Sequence, residues 1–117
     1  MMQHRLSKNI KIIDELIEYL YKRGCQEMNL DLKFKKSESI FIIRIQKDAI
    51  SPKCIDRLEE RLNIQRCYEV EENFWELTGD SEIEGENELV LTGMMIDKTE
   101  LSFSENTLEI KIKRLEK

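Results

Sequence analysis

Histidine, proline and glycine are all scarce in this chain. The single histidine, His4, precedes the first expected helix in a segment prone to fraying. No spacing supplies the oriented partner that a catalytic or metal-binding imidazole needs. With one proline and four glycines, collagen-like and low-complexity architectures are excluded, and no glycine-rich loop is present to cradle a phosphate. Cys25, Cys54 and Cys67 lie 29 and 13 positions apart, unlike the close pairs of zinc sites, and so fit a reducing, cytoplasmic setting. No apolar run approaches the ~18 residues of a membrane span, and the opening MMQHRLSKN lacks the apolar segment of a signal peptide. The net charge of −5 and pI near 5.1 argue against nucleic acid as a partner, because phosphate contacts require a basic face.

What is present suffices for one modest core: 117 residues, 40% of them apolar and 37% charged, read as a single domain over 1–117. Leu6, Ile10, Ile13, Ile17 and Leu20 recur at spacings of four and three and predict a one-faced helix, widened by Ile12, Leu16 and Tyr19. Lys22 and Arg23 suit its last turn, and Gly24 its left-handed cap. Met28, Leu30, Leu32 and Phe34 alternate with polar residues as in a half-buried strand. Lys36 to Ser39 reads as a turn, and the β-branched run Ile40 to Ile45 as a central strand covered on both sides. Ser51-Pro52 opens a second helix, with Ser as N-cap and Pro at the first helical position, and Ile55, Leu58 and Leu62 inward. After a break near Asn63, Ile64 to Leu77 predicts a third helix ended by Gly79. Residues 79–88 read as an acidic loop. Leu89 to Ile96 reads either as a strand, in which Leu89 and Leu91 alternate, or as a further helix, with Leu91, Met94 and Met95 inward and Gly93 allowing close packing; the methionine pair and Asp97 favour the helix.

The last element is a hairpin whose register follows from the sequence. With Glu105-Asn106 as a two-residue turn and Asn106 at positive φ, Ser104 faces Thr107, Phe103 faces Leu108 and Leu101 faces Ile110. The apolar residues then share one face, and a slip of one residue destroys that agreement. Two hairpins with helices before and between them predict an α+β fold. Its form is a two-layer sandwich, a four-stranded mixed or antiparallel sheet with helices on one face.

Charge is unevenly distributed. Residues 59–97 carry 12 acidic and 2 basic groups, whereas 1–58 are net +4 and 98–117 net +1. Glu69, Glu71, Glu72 and Glu76 read most simply as a solvated helix face. The alternating carboxylates from Asp80 to Glu88 lack the offsets of a calcium loop. In the third helix Cys67, Val70, Phe74 and Leu77 form one apolar line, while Ile64, Tyr68 and Trp75 form a second about 100° away. Either the second helix covers that second line, or Tyr68 and Trp75 stand at the surface rimmed by Glu71, Glu72 and Glu76. The latter is the layout of a protein-binding hot spot for a partner with an apolar anchor and basic surround. Segment 64–88 is therefore the candidate partner-binding region. The sequence offers no catalytic, cofactor or metal site, with Cys67 read as core and Cys25 as partly exposed with no activating base. Oligomeric state is left open.

The order helix, hairpin, helices, acidic loop, helix, hairpin resembles the histidine-kinase-type ATP-binding fold of the GHKL superfamily. Glu15 and the Lys22-Arg23-Gly24 ending match that superfamily's first helix, but Tyr19 stands where its metal-binding Asn would be. Its adenine-reading Asp-x-Gly-x-Gly turn corresponds to the stretch from Ile45 to Ile50, which has no glycine. Of its phosphate-binding glycines only Gly85 remains, among carboxylates that repel polyphosphate. The resemblance thus implies a degenerate ATPase-like fold and a non-catalytic regulatory or interaction domain. An ATP-binding anti-sigma-like serine kinase and an accessory subunit are the alternatives. Cysteine spacing yields a first test: the melting temperature should not change with reductant or chelator, and a drop of several degrees with either would reveal a structural disulfide or metal.

Overall fold

A computed structural model describes residues 5–74 and 89–116. The chain runs α1 (Arg5–Lys22), β1 (Asn29–Phe34), β2 (Glu38–Gln46), α2 (Pro52–Leu62), α3 (Tyr68–Phe74), α4 (Val90–Gly93), β3 (Lys98–Ser104) and β4 (Thr107–Leu115). The fold is α+β. Its single sheet has the order β1-β2-β4-β3, and every pairing is antiparallel. The C-terminal hairpin adopts the expected register, Ser104 against Thr107 through Leu101 against Ile110. Glu105 rather than Asn106 takes the positive φ, at 28°.

One face of the sheet makes the core. Phe41, Ile43 and Ile45 on β2 and Leu108, Ile110 and Ile112 on β4 cluster with Ile12, Leu16 and Leu20 of α1 and Leu58 and Leu62 of α2. β2 is not covered symmetrically. Ile40, flanked in register by Lys33 and Lys113, is buried but stands apart from that cluster. The same face carries Ile42 and the cross-strand pair Arg44–Glu109 at 3.0 Å.

The inward line of α1 differs from the expected one. Leu6 and Ile10 are 57% and 53% exposed, and the buried line runs Asn9, Ile12, Ile13, Leu16, Tyr19, Leu20. Ile12, Ile13, Leu16, Tyr19 and Leu20 are buried as expected and Ile17 is half-buried, so the difference lies in the first turns. The apolar pattern misplaces those turns because their inward residues, Lys8 and Asn9, are polar. At its other end α1 closes as predicted. Gly24, at φ +104°, bonds back to Tyr21 O, while Cys25 N–H reaches Leu20 O at 3.0 Å. That double bond pattern folds the residue after the glycine back onto the helix, so Cys25 is buried rather than partly exposed.

Two other elements are shorter than their apolar patterns suggest. The third helix begins at Tyr68, not Ile64, because Cys67 N–H is taken by Met94 O at 2.7 Å before the first helical bond from Glu71. Cys67, expected in the core, is half-buried. Leu89 to Ile96 holds a single turn of helix. It starts at Leu89 with φ 71° and continues in three-residue bonds from Met95 to Thr92 and Ile96 to Gly93. This turn buries Leu89, Met95 and Ile96, while Met94 stays half-buried.

α2 is as predicted, with Ser51 Oγ accepting from Cys54 N–H, Pro52 at its start and Ile55, Leu58 and Leu62 buried. Gly93 sits against its end, where an added Cβ would stand 2.1 Å from Arg61 O. That neighbour is backbone and cannot rotate away. Gly93→Ala should therefore cost about 3 kcal/mol or more of unfolding free energy, and Ser51→Ala about 1 kcal/mol. Urea denaturation with unchanged slope checks both.

Candidate functional site

At one end of the molecule four cations and three carboxylates are gathered, from the buried Arg114, Glu71 and Lys8 to the exposed Asp97. Arg114, 2% exposed, continues the inward parity of Leu108, Ile110 and Ile112 along β4, and Glu71, 3% exposed, reaches it from α3. Arg114 Nη2 donates to Glu71 Oε2 at 3.1 Å and Nη1 to Met95 O at 3.0 Å. Lys8 Nζ from α1 donates to the same Glu71 oxygen at 3.1 Å. Arg66 Nε donates to Glu71 Oε1 at 3.1 Å, while its Nη1 reaches Asp97 Oδ2 at 2.6 Å and Leu115 O at 2.8 Å. Glu116 Oε2 accepts from Ser39, Asn9 and Arg114 and lies 3.5 Å from Arg5 Nε. Arg5 also caps the β1–β2 turn through the carbonyls of Lys35, Lys36 and Glu38.

Burial alone would raise the Glu71 carboxyl, but Arg114, Arg66 and Lys8 hold it below the ordinary carboxylate range. Glu116 is likewise lowered against its burial, by hydrogen bonds from Ser39 and Asn9 and by Arg114. Each charge is compensated, so the cluster serves as a clasp between α1, α3, β4 and the segment before β3. It was not visible in hydrophobic periodicity. The one available signal was Arg114 itself, a charge at the inward parity of Leu108, Ile110 and Ile112 on β4.

The clasp also fixes the expected partner-binding patch. Tyr68 is exposed, at 48%, and lies over the Arg66 guanidinium, 4.5 Å from ring centroid to Cζ. Glu72 is exposed and pairs with Lys8 at 3.2 Å. Glu71, expected on the patch's rim, is instead the buried centre of the clasp. Because Arg114 meets it from the sheet and Arg66 from the segment before α3, this carboxylate turns inward and leaves the surface to Tyr68 and Glu72. Trp75 and Glu76 lie outside the described residues, as do His4 and the acidic stretch 79–88. A groove of about 350 Å³ adjoins Tyr68 between α2 and α3, lined by Leu62, Asn63, Ile64, Gln65, Arg66 and Asp97.

A second concavity, a cleft of about 670 Å³, opens at the opposite end of the sheet. The loop 47–51, the first turn of α2, Arg23 and Phe103 enclose it, with Lys47 Nζ 5.9 Å above the Phe103 ring. Its wall residues Ala49, Ile50, Pro52 and Ile55 are apolar, and Asp48 and Asp56 are its carboxylates. Tyr19 is buried nearby, its hydroxyl donating to Cys54 O at 3.2 Å, with the Arg23 guanidinium over its ring. The three thiols are free, and burial pushes the Cys25 thiol up, away from a reactive thiolate. Among the described residues no group of three or more His, Cys, Asp or Glu is arranged to hold a metal ion. No family model, curated protein or solved structure matches the chain.

Carboxyls lowered in the folded state stabilise it fully above their unfolded pKa, about 4.3, and lose that contribution as pH falls through the lower folded values. Stability should thus be level above about pH 5 and fall steeply below pH 4. Glu71→Gln, which leaves Arg66 and Arg114 facing an uncharged amide, should cost about 3–5 kcal/mol at pH 7 and flatten the acid limb. Urea titrations across pH 3–7 measure both effects.

Proposed function

We propose that this chain is a small non-catalytic regulatory or protein-interaction domain, built on a degenerate ATPase-like fold, that binds a basic partner through segment 64–88. The observation that carries this reading is the placement of Tyr68. The clasp beneath it uses up the positive charge of Arg66 and Arg114 and turns Glu71 inward, so the surface left over is an aromatic ring beside Glu72 and a groove. Such a surface favours an apolar anchor carried by a basic segment. Three free thiols and the lack, among the described residues, of a helix able to cross a membrane support a reducing, cytoplasmic location.

The position of Tyr19 supports the non-catalytic part. Where the resemblance places a metal-binding Asn, this side chain is packed in the core and its hydroxyl is bonded to α2's first turn. A second reading, an ATP-binding anti-sigma-like kinase, draws on the 670 Å³ cleft, because the loop lining it is the stretch that the resemblance assigns to adenine. The two readings diverge in one titration. Calorimetry with millimolar Mg-ATP should give no saturable heat, whereas a one-site isotherm would establish the kinase reading. Affinity capture and identification of the partner tests the interaction itself. Tyr68→Ala should weaken the identified complex by about tenfold or more, added salt should slow its association, and Trp75, the only tryptophan, should shift its emission to the blue on binding.

A further inference from the structure

The edge of the sheet at β1 is built unlike its opposite edge at β3. On β3 the residues facing the core side, Thr99, Leu101 and Phe103, progress from buried to exposed. On β1 all three residues of the same side, Leu30, Leu32 and Phe34, are 41–48% exposed. Among the described residues this strand has no neighbour on its outer side in the sheet. Edge strands are ordinarily shielded from one another by charge, proline or bulges. β1 has no proline, and its register to β2 runs unbroken from Asn29↔Arg44 to Phe34↔Ser39.

The hydrogen-bond phase of this edge can be derived. Lys35 N–H donates to Glu38 O at 2.8 Å, closing the hairpin. In an antiparallel ladder bonded and non-bonded pairs alternate, so Lys33 and Asp31 bond to β2. Leu30, Leu32 and Phe34 then aim their N–H and C=O groups outward. The apolar side chains and the free backbone groups therefore belong to the same three residues.

We propose that a second copy of this chain pairs with β1 across a two-fold axis at Leu32, joining two sheets into one of eight strands. Antiparallel self-pairing centred there sets Leu32 against Leu32, Leu30 against Phe34, and Asp31 against Lys33. The outward groups of Leu30, Leu32 and Phe34 meet their counterparts in phase and complete six hydrogen bonds. The four apolar residues flanking the axis form cross-strand pairs on the core side, and both Asp–Lys contacts on the other side are of opposite charge. The same operation on β3, centred at Leu101, sets Glu100 against Ser102 and gains no such pair. An isologous contact needs a self-complementary patch, and the heptad-free sequence NLDLKF meets that need in both apolarity and charge. So small a contact is weak and concentration-dependent. This association is independent of the partner surface at Tyr68, which lies on α3.

Sedimentation equilibrium from about 10 μM to 1 mM chain, concentrations at which a weak interface of this size is populated, should show a reversible monomer–dimer equilibrium. Hydrogen exchange should slow with concentration at the amides of Leu30, Leu32 and Phe34 and not at Lys33. Asp31→Lys or Lys33→Asp alone should weaken the dimer by about tenfold, since each makes two like-charge contacts. Mixing those two variants should restore association as a heterodimer, and the double variant should dimerise like the original. A chain that is monomeric throughout this range overturns the proposal. So does a dimer whose protection falls elsewhere or that ignores the charge reversals, and capture of an unrelated peptide by β1 in place of self-association does the same.

Discussion

The contact on which the rest of this structure depends is the buried pair Glu71–Arg114. Arg114 sits on the core side of a central strand, where desolvating an unpaired guanidinium would be prohibitive. Carboxylates from Glu71 on α3 and from Glu116 just past β4 make that position tolerable, and α3 lies where it delivers the first of them. A helix of seven residues has almost no stability of its own. Its orientation comes from Glu71, which receives three cations on its two oxygens, and from Cys67, bonded to Met94. Lys8 and Arg66 then extend the same logic to α1 and to Asp97. Ion clusters of this kind are a poor source of net stability but a strong source of geometry, because few alternative packings bring so many donors onto the same carboxylates.

That division between apolar and polar ordering explains how far the sequence could be read. Where burial is apolar, the pattern was sufficient: the β3–β4 register, the Ser51 cap, the inward face of α2 and the Gly24 closure all appear where their residues place them. Where burial is ionic, the pattern misled. Lys8 and Asn9 occupy the inward face of α1, so the apparent stripe drifted to the exposed Leu6 and Ile10. Glu71 looked like a solvated rim residue because nothing local distinguishes it from Glu69 or Glu72. Its partners lie 5, 43 and 63 positions away in sequence, beyond any periodic signal. Of the candidate site, Glu72 was legible as a surface group, whereas the exposure of Tyr68 was one of two alternatives that the apolar pattern left open.

The groove at Tyr68 and the cleft beside Phe103 differ in chemistry. Around the groove at Tyr68, backbone and charged groups dominate, and the neighbouring cations are already engaged. The cleft at the opposite end is apolar, walled by the capped start of α2 and by Phe103. Between them stands the full length of the core, with α1 spanning from the clasp at Lys8 to the Tyr19–Cys54 contact.

The strand order has a bearing on how the chain acquires its shape. β4, which supplies half of the central pair, is the last strand in sequence, and it pairs with β2 across some seventy intervening positions at the Ile42–Lys111 rung. Until residue 115 is made, β2 has only β1 beside it, and the apolar faces of α1 and α2 have just half a floor to rest on. At ordinary synthesis rates that interval is roughly 3–14 s. A topology dominated by such distant pairings folds slowly for its size. Over that interval β1 and β2 can form only an open ribbon, and the four-stranded sheet is completed when β4 enters the middle.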